Sequence, residues 1–131
     1  MAKVNFKINK IYNEINFLNS DIYSKIKNCN FDIILSNPPY IHRNYSKLYH
    51  ENLYFETYKS LTDNFDGLSI IRKIIIGSIG KLKKYGLLYI EHSLEQTKHI
   101  EKILYNLFFY KFFFKKNFNY KNYITCAKLL I

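Results

Sequence analysis

The sequence predicts an α/β fold whose sheet has a parallel part followed by an antiparallel C-terminal hairpin. Two short, nearly continuous apolar runs, Phe31–Ser36 and Gly86–His92, lie on either side of a segment with helical periodicity. This pattern is typical of parallel strands joined by a helix. Residues 108–131 are rich in aromatic and β-branched side chains and are divided by the polar stretch KKNFNYKN, which indicates a hairpin. The chain has 131 residues without repeats or linkers, so we expect a single unit over residues 1–131.

The N-terminal part of the sequence predicts one helix and two strands. Residues 2–12 have apolar side chains at helical spacing. The stretch INFLNSD, residues 15–21, predicts a short strand that leads into a polar loop. Phe31–Ser36 predicts a second strand, and its apolar run indicates side chains that are covered on both faces of the sheet.

The middle of the sequence predicts a long loop and a helix. Residues 42–65 are polar and aromatic without a clear period, and a loop of this length in a compact domain is usually functional or disordered. Residues 67–83 predict an amphipathic helix, and Lys83, Lys84 and Gly86 suit its C-terminal end. The expected apolar face of this helix consists of Ile71, Ile74, Ile75, Ile79 and Leu82.

A capping box predicts the start of the last helix. Ser93 and Gln96 have the S-x-x-Q spacing, in which each residue caps the other's backbone. Glu91 and His92 come just before it, at the expected end of a strand, and we interpret them as ordinary hydrogen-bonded residues rather than general bases. The apolar positions that continue the helix are Ile100, Ile103, Leu104 and Leu107.

The composition predicts a cytoplasmic protein without a metal site. Cys29 and Cys126 are far apart in the sequence, and the four histidines show no metal-ligand spacing. No apolar run approaches the length of a membrane span, and the first residues lack the apolar region of a secretory signal. We therefore expect no membrane association.

The formal net charge of +10 does not by itself indicate a nucleic-acid partner. It arises from 18 Lys and 2 Arg against 10 acidic residues, and the lysines are scattered along the chain. Asn, Ile, Tyr and Phe are frequent as well, which is what AT-rich codon usage would produce. We therefore expect no specific contact with nucleic acid.

The stretch NPPY, Asn37 to Tyr40, follows the first apolar run and has the chemistry of an amide-binding slot. In open α/β sheets a ligand lies beyond the carboxyl ends of the strands. Asn37 offers a side-chain carbonyl, the Pro38 carbonyl projects from a rigid turn, and Tyr40 offers a flat ring. Two acceptors that hold both hydrogens of an NH₂ group direct the nitrogen lone pair out of the plane. This arrangement suits methylation of an amide or an exocyclic amine.

Longer stretches around this motif carry a resemblance to one family. FDIILSNPPYI is similar to the signature of Rossmann-like, S-adenosylmethionine-dependent amino-methyltransferases. It is accompanied in order by NFLNSDIY, LYFETYKSLT, LLYIEHSLEQ and YITCAKLL. This order resembles the C-terminal part of the release-factor glutamine methyltransferases, the HemK or PrmC family. The resemblance implies S-adenosyl-L-methionine as the methyl donor and the Gly-Gly-Gln loop of peptide-chain release factors as the substrate.

The resemblance also implies roles for individual residues. Asn37, Pro38 and Tyr40 would be catalytic and would hold the glutamine amide. Pro39 and Glu56 would complete substrate binding. The positions that would border the cofactor are Asp21, Ile22 and again Asn37.

The sequence departs from this family at its N-terminal side. None of its four glycines forms a G-x-G cofactor loop, and no helical substrate-binding domain precedes the methyltransferase residues. We therefore expect an N-terminally truncated class I methyltransferase sheet, in which Phe31–Ser36 has a bare edge and a separate N-terminal fragment supplies the glycine-rich loop. Two alternatives remain open. One is a catalytically inactive remnant that at most binds a protein, and the other is a fragment of a nucleic-acid N6-adenine methyltransferase.

Overall fold

The computed structural model describes residues 8, 15–27, 29–40, 66–116 and 122–131, with only the backbone for residues 111–116 and 122–123. The predicted helix 2–12 and the predicted loop 42–65 lie outside this part, apart from residue 8. The strands are β1 (Phe31–Ser36), β2 (Leu82–Ser93), β3 (Phe109–Lys116) and β4 (Asn122–Leu129). The helices are α1 (Ser69–Ile79) and α2 (Thr97–Asn106), and a single 3₁₀ turn (Leu94–Gln96) precedes α2.

The four strands form one mixed sheet in the order β1-β2-β4-β3. β1 is parallel to β2, while β4 is antiparallel to both β2 and β3. The predicted fold, a parallel pair followed by an antiparallel hairpin, is therefore confirmed. Because β1 and β2 are parallel, their carboxyl ends lie at the same edge of the sheet, with Ser36 opposite Ile90.

One face of the sheet carries the core. α1 contributes Ile71 and Ile75, and α2 contributes Ile100 and Leu104, all of which are fully or almost fully buried. They pack in one cluster with side chains from the sheet: Leu82, Leu88, Ile90, Phe109, Ala127 and Leu129. The helical spacing of these apolar positions explains why both segments fold as helices against this face.

The opposite face of β1 is exposed. Ile33 is 52% exposed and Leu35 75% exposed, whereas Ile34 between them packs against the core. The expectation that β1 is covered on both faces is therefore wrong for the part of the chain that the structure describes. Alternate side chains of a strand point to opposite faces, and both described helices contribute to the core on the other side.

Two further sequence expectations are corrected by the structure. Residues 15–20 form no strand, because a strand requires a hydrogen-bonded neighbour and the described sheet begins at β1. The helix predicted over residues 67–83 ends at Ile79, and Gly80 follows as its cap. Lys83, Lys84 and Gly86, expected at the helix end, instead belong to β2. Leu82 is buried as predicted but as a strand residue, and Leu107 lies just beyond the end of α2.

The turn that starts at residue 21 is attached to α1. The Tyr23 hydroxyl donates to the Ile74 carbonyl at 3.3 Å, and the Lys81 ammonium donates to the Ile26 carbonyl at 2.7 Å. Gly77 makes room for the Tyr23 ring, since a Cβ at this position would lie 2.5 Å from it. Burial of the phenol raises the pKa of Tyr23 to about 12.

We expect the exposed side of β1 to cause self-association of the isolated chain. Apolar strand edges and faces without a partner favour intermolecular pairing. Leu35→Lys should lower the weight-average mass measured by sedimentation at tens of micromolar (~10–50 µM), because the new charge opposes burial of this surface.

Tyr105→Lys is the matched control, because Tyr105 is 84% exposed on α2 and away from β1. This control should associate as the unmodified chain does. An unmodified chain that sediments as a monomer throughout this range would contradict the prediction.

Candidate functional site

The Asn37–Tyr40 turn lies at the carboxyl end of β1, where the sequence predicts a ligand site. Asn37 is exposed, whereas Pro38 is buried and Pro39 is half-buried. Tyr40 is also half-buried and packs against the core cluster. The turn therefore presents a polar side chain to the outside from an apolar, rigid base.

Gln96 connects this turn to two other parts of the fold. Its Nε2 donates to the Tyr40 carbonyl at 2.8 Å and to the Gly67 carbonyl at 3.0 Å. Its Oε1 accepts a hydrogen bond from the Ser93 backbone N–H at 3.1 Å, as the predicted capping box requires. The start of α2, the NPPY turn and the segment that leads into α1 thus meet at one carboxamide.

Gly67 is required at this meeting point. Its φ of +74° is in the left-handed region, which favours glycine. A Cβ at this position would lie 2.3 Å from the Tyr40 carbonyl oxygen and 2.5 Å from Gln96 Nε2. Any side chain would therefore push the turn away from Gln96.

Asp66 fixes the start of α1. Its Oδ1 accepts a hydrogen bond from the Leu68 N–H at 2.9 Å, and its Oδ2 lies 2.9 Å from the Arg72 guanidinium. Both partners of this ion pair are 45% exposed, so solvent screens it and its contribution to stability is small. The hydrogen bond to Leu68 holds the backbone beside Gly67 in position.

His92 is buried at the end of β2, and the structure confirms the expected hydrogen-bonded position. Its Nδ1 lies 2.7 Å from the Ser93 carbonyl, and its Nε2 lies 2.6 Å from Thr125 Oγ1. Since a carbonyl only accepts, Nδ1 carries the proton, and Nε2 of the neutral ring accepts from the Thr125 hydroxyl. Burial lowers the pKa of His92, although the Ser93 carbonyl and Glu91 oppose this effect.

The other predicted site residues lie on a separate element or outside the described part. Asp21 is exposed in the turn attached to α1, and its N–H donates to Ser24 Oγ at 3.2 Å. Ile22 has a φ of +49° and packs against the core. Glu56 lies outside the described residues. The structure thus brings together the NPPY turn, Gly67 and Gln96.

The described residues contain neither a cluster of metal ligands nor a membrane-spanning helix. In the described ranges, no three His, Cys, Asp or Glu side chains come together as a metal site would require. Among the same residues, no helix has the length and apolar character that crossing a bilayer demands.

Comparison with known proteins identifies the relatives of this chain. Residues 1–64 match the Methyltransferase small domain family. The whole chain is 35% identical to the release factor glutamine methyltransferase of Buchnera aphidicola subsp. Baizongia pistaciae and covers 45% of that protein. Over 91 residues, 69% of this chain, it is 36% identical to the enzyme of the same name from Burkholderia pseudomallei and covers 32% of it. The expected resemblance to the release factor glutamine methyltransferases is confirmed.

A solved structure supports the same fold. The ribosomal protein L11 methylase of Lactobacillus delbrueckii subsp. bulgaricus matches with a TM-score of 0.67 over 99% of this chain and 51% of that protein. At 15% identity this likeness concerns the fold alone, which is that of a class I methyltransferase. The chain spans less than half the length of the two release factor glutamine methyltransferases above.

The residues present do not fit a complete site for S-adenosylmethionine. All four glycines are in the described part, and none forms a glycine-rich turn. Gly67 and Gly77 make room for neighbouring groups, Gly80 caps α1, and Gly86 lies within β2. The described residues therefore include no glycine-rich loop of the kind that surrounds such a cofactor.

Sequence reasoning missed the central position of Gln96. It identified the capping role of the Gln96 carbonyl but not the two bonds that its NH₂ group donates. Gly67 and Asp66 were also missed as neighbours of the turn. The Asp-Gly pair directly before a helix is the signal that could have indicated a special backbone conformation there.

We expect His92 to make the chain less stable in mild acid. Because its pKa is lowered in the folded state, the unfolded chain binds a proton more tightly. The free energy of unfolding should therefore fall as the pH drops below about 6.5, by at most about 1.4 kcal/mol per pH unit for this one proton. Urea unfolding at a series of pH values measures this slope.

His92→Gln should remove this part of the pH dependence. His99→Gln is the matched control, because His99 is exposed on α2, and it should keep the slope of the unmodified chain. Equal slopes in both variants would show that His92 does not titrate as argued.

Proposed function

We propose that this chain is the C-terminal part of the catalytic domain of a release factor glutamine methyltransferase. It would help transfer a methyl group from S-adenosylmethionine to the side-chain nitrogen of the glutamine in the Gly-Gly-Gln loop of peptide-chain release factors. The observation that carries this proposal is the position of the Asn37–Tyr40 turn. It lies at the carboxyl edge of a methyltransferase-like sheet, in a chain related to these enzymes.

Asn37 and Pro38 would hold the glutamine amide. Asn37 is exposed at the strand end, so its Oδ1 is available to accept one amide hydrogen. The ring of buried Pro38 restricts the backbone, so its carbonyl can accept the second hydrogen from a fixed direction. Two such bonds orient the nitrogen for in-line attack and counteract the delocalisation that makes an amide a weak nucleophile.

Tyr40 and Pro39 would form the apolar side of the slot. Tyr40 packs against the core and is held through its carbonyl by Gln96, so the backbone that carries its ring is fixed. A flat ring beside a planar carboxamide excludes water from one side of it. We propose Glu56 as a further contact of the release factor.

The methyl donor would need residues beyond those described. S-adenosylmethionine supplies a methyl group on a positively charged sulfur, and Asp21, Ile22 and Asn37 would border it. We propose that a separate N-terminal fragment provides the glycine-rich loop and contacts β1, whose outer edge has no neighbour among the described strands. The exposed Ile33 and Leu35 support a layer of that fragment on this face of β1, because such a layer would bury them.

The same exposed surface favours a second candidate function. A chain that presents Ile33 and Leu35 could act only as a protein-binding fragment without catalysis. The two candidates differ in whether adding the missing half restores methyl transfer.

We expect Asn37→Ala to abolish most methyl transfer. The chain is mixed with the N-terminal half of the Buchnera aphidicola relative, S-adenosylmethionine and a release factor. Mass spectrometry then locates the added methyl group. Loss of one acceptor at the reacting amide should lower the rate about a hundredfold or more.

Asn30→Ala is the matched control, because Asn30 is exposed directly before β1 at its opposite end. It should keep the rate of the unmodified mixture. Equal rates in both variants would overturn the role of Asn37. In a parallel mixture with DNA or RNA in place of the release factor, a methyl group on adenine would favour the nucleic-acid alternative. Absence of methyl transfer in both mixtures would favour the protein-binding fragment.

A further inference from the structure

We propose that Gln96 is a positioning residue that holds the NPPY turn in its binding conformation. Its carboxamide binds the chain on both sides of positions 41–65, at Tyr40 and at Gly67. The structural part of this inference stands on the contacts of Gln96. Its consequence for catalysis rests on the proposed function.

Every polar atom of the Gln96 side chain has a partner. A carboxamide has two N–H donors and one carbonyl oxygen. The donors are directed to the carbonyls of Tyr40 and Gly67, and the oxygen accepts from Ser93 N–H. Gln96 is only 7% exposed, so water cannot easily replace these partners. A flipped carboxamide would set its oxygen against two carbonyls, which fixes its orientation.

The bond to Tyr40 reaches the residues that carry the proposed chemistry. Tyr40 is two residues beyond Pro38, and proline rings restrict φ at Pro38 and at Pro39. With so little backbone freedom, fixing the Tyr40 carbonyl also limits the directions available to the Pro38 carbonyl and to Asn37. Gln96 thereby controls acceptors that it does not itself contact.

The bond to Gly67 gives the turn a second anchor. Gly67 adopts a left-handed conformation and approaches the Tyr40 carbonyl so closely that no Cβ would fit. Asp66 next to it holds Leu68 at the start of α1. Gln96 therefore ties the turn to α1 as well as to α2.

A helix cap alone would not require this arrangement. Capping uses only the Gln96 carbonyl and the Ser93 N–H. The two bonds from Nε2 extend 56 and 29 positions along the chain. Gln96→Glu separates the two roles, because a carboxylate keeps the capping acceptor and the shape but presents a negative charge to two carbonyl oxygens.

The test uses NMR on the free chain and kinetics on the reconstituted mixture. At pH 8, Gln96→Glu should shift the backbone amide resonances of Asn37 and Tyr40, because the turn loses the bond that fixes the Tyr40 carbonyl. It should lower kcat of methyl transfer more than it raises KM. As the pH falls, a protonated carboxyl can donate one bond again, so both effects should partly reverse.

Glu95→Gln is the matched control, because Glu95 is exposed and adjacent. It should leave these two resonances and the kinetics unchanged and show no pH reversal. Unchanged Asn37 and Tyr40 resonances in a folded Gln96→Glu chain would overturn the inference.

The unmodified chain provides a second measurement if Gln96→Glu does not fold. The two side-chain N–H hydrogens of Gln96 should exchange with water about tenfold or more slowly relative to those of exposed Asn16. Equal rates would overturn the inference. Because the NMR measurements need no substrate, protected Gln96 hydrogens without any methyl transfer would count against the proposed function and not against the positioning role.

Discussion

The parallel pairing of β1 with β2 determines where every element of the candidate site lies. Because Ser36 is opposite Ile90, β2 extends three residues beyond the end of β1. The NPPY turn therefore begins at the edge of the sheet where β2 continues with Glu91, His92 and Ser93. The 3₁₀ turn follows directly after β2, and this places Gln96 within hydrogen-bond distance of the Tyr40 carbonyl. A change of register would move the turn away from Gln96, and the shared anchor with Gly67 would be lost.

Among the described residues, one face of the sheet carries the core, whereas the opposite face is exposed at β1. The packed face supports the acceptor side of the site through Tyr40, which joins the core. In this chain the glycines serve packing and helix termination. The described part thus resembles one half of a catalytic domain, consistent with its coverage of less than half of its relatives.

Local sequence signals predicted the elements that local physics determines. The β1 run was predicted with its observed ends, since β-branched residues are followed by two prolines that cannot continue a ladder. The capping box before α2 was predicted because the S-x-x-Q spacing of Ser93 and Gln96 is itself a local signal. The prediction of a strand at residues 15–21 was wrong, because a strand needs a hydrogen-bonded neighbouring strand, which the sequence of one segment cannot reveal. The end of α1 was misplaced because buried Leu82 continues the helical period by coincidence, after Gly80 has already ended the helix.

The position of the NPPY turn at a strand end was predictable from the sequence, whereas its support by Gln96 was not. The roles of Asn37, Pro38 and Tyr40 at an amide stay predictions. Residue types alone indicated that Asn37, Pro38 and Tyr40 could bind an amide. The support from Gln96 depends on contacts between residues far apart in sequence, which no spacing rule encodes. The roles of Asp21, Ile22 and Glu56 remain predictions from family resemblance.

In the proposed function, this chain carries the residues that hold the glutamine amide and lacks the glycine-rich loop that binds the cofactor. Calorimetric titration of S-adenosylmethionine tests it most directly, first into this chain alone and then into its mixture with the N-terminal half of a relative. The account predicts no detectable heat of binding for the chain alone and micromolar binding, ~1–100 µM, for the mixture. Micromolar binding by the chain alone would contradict it.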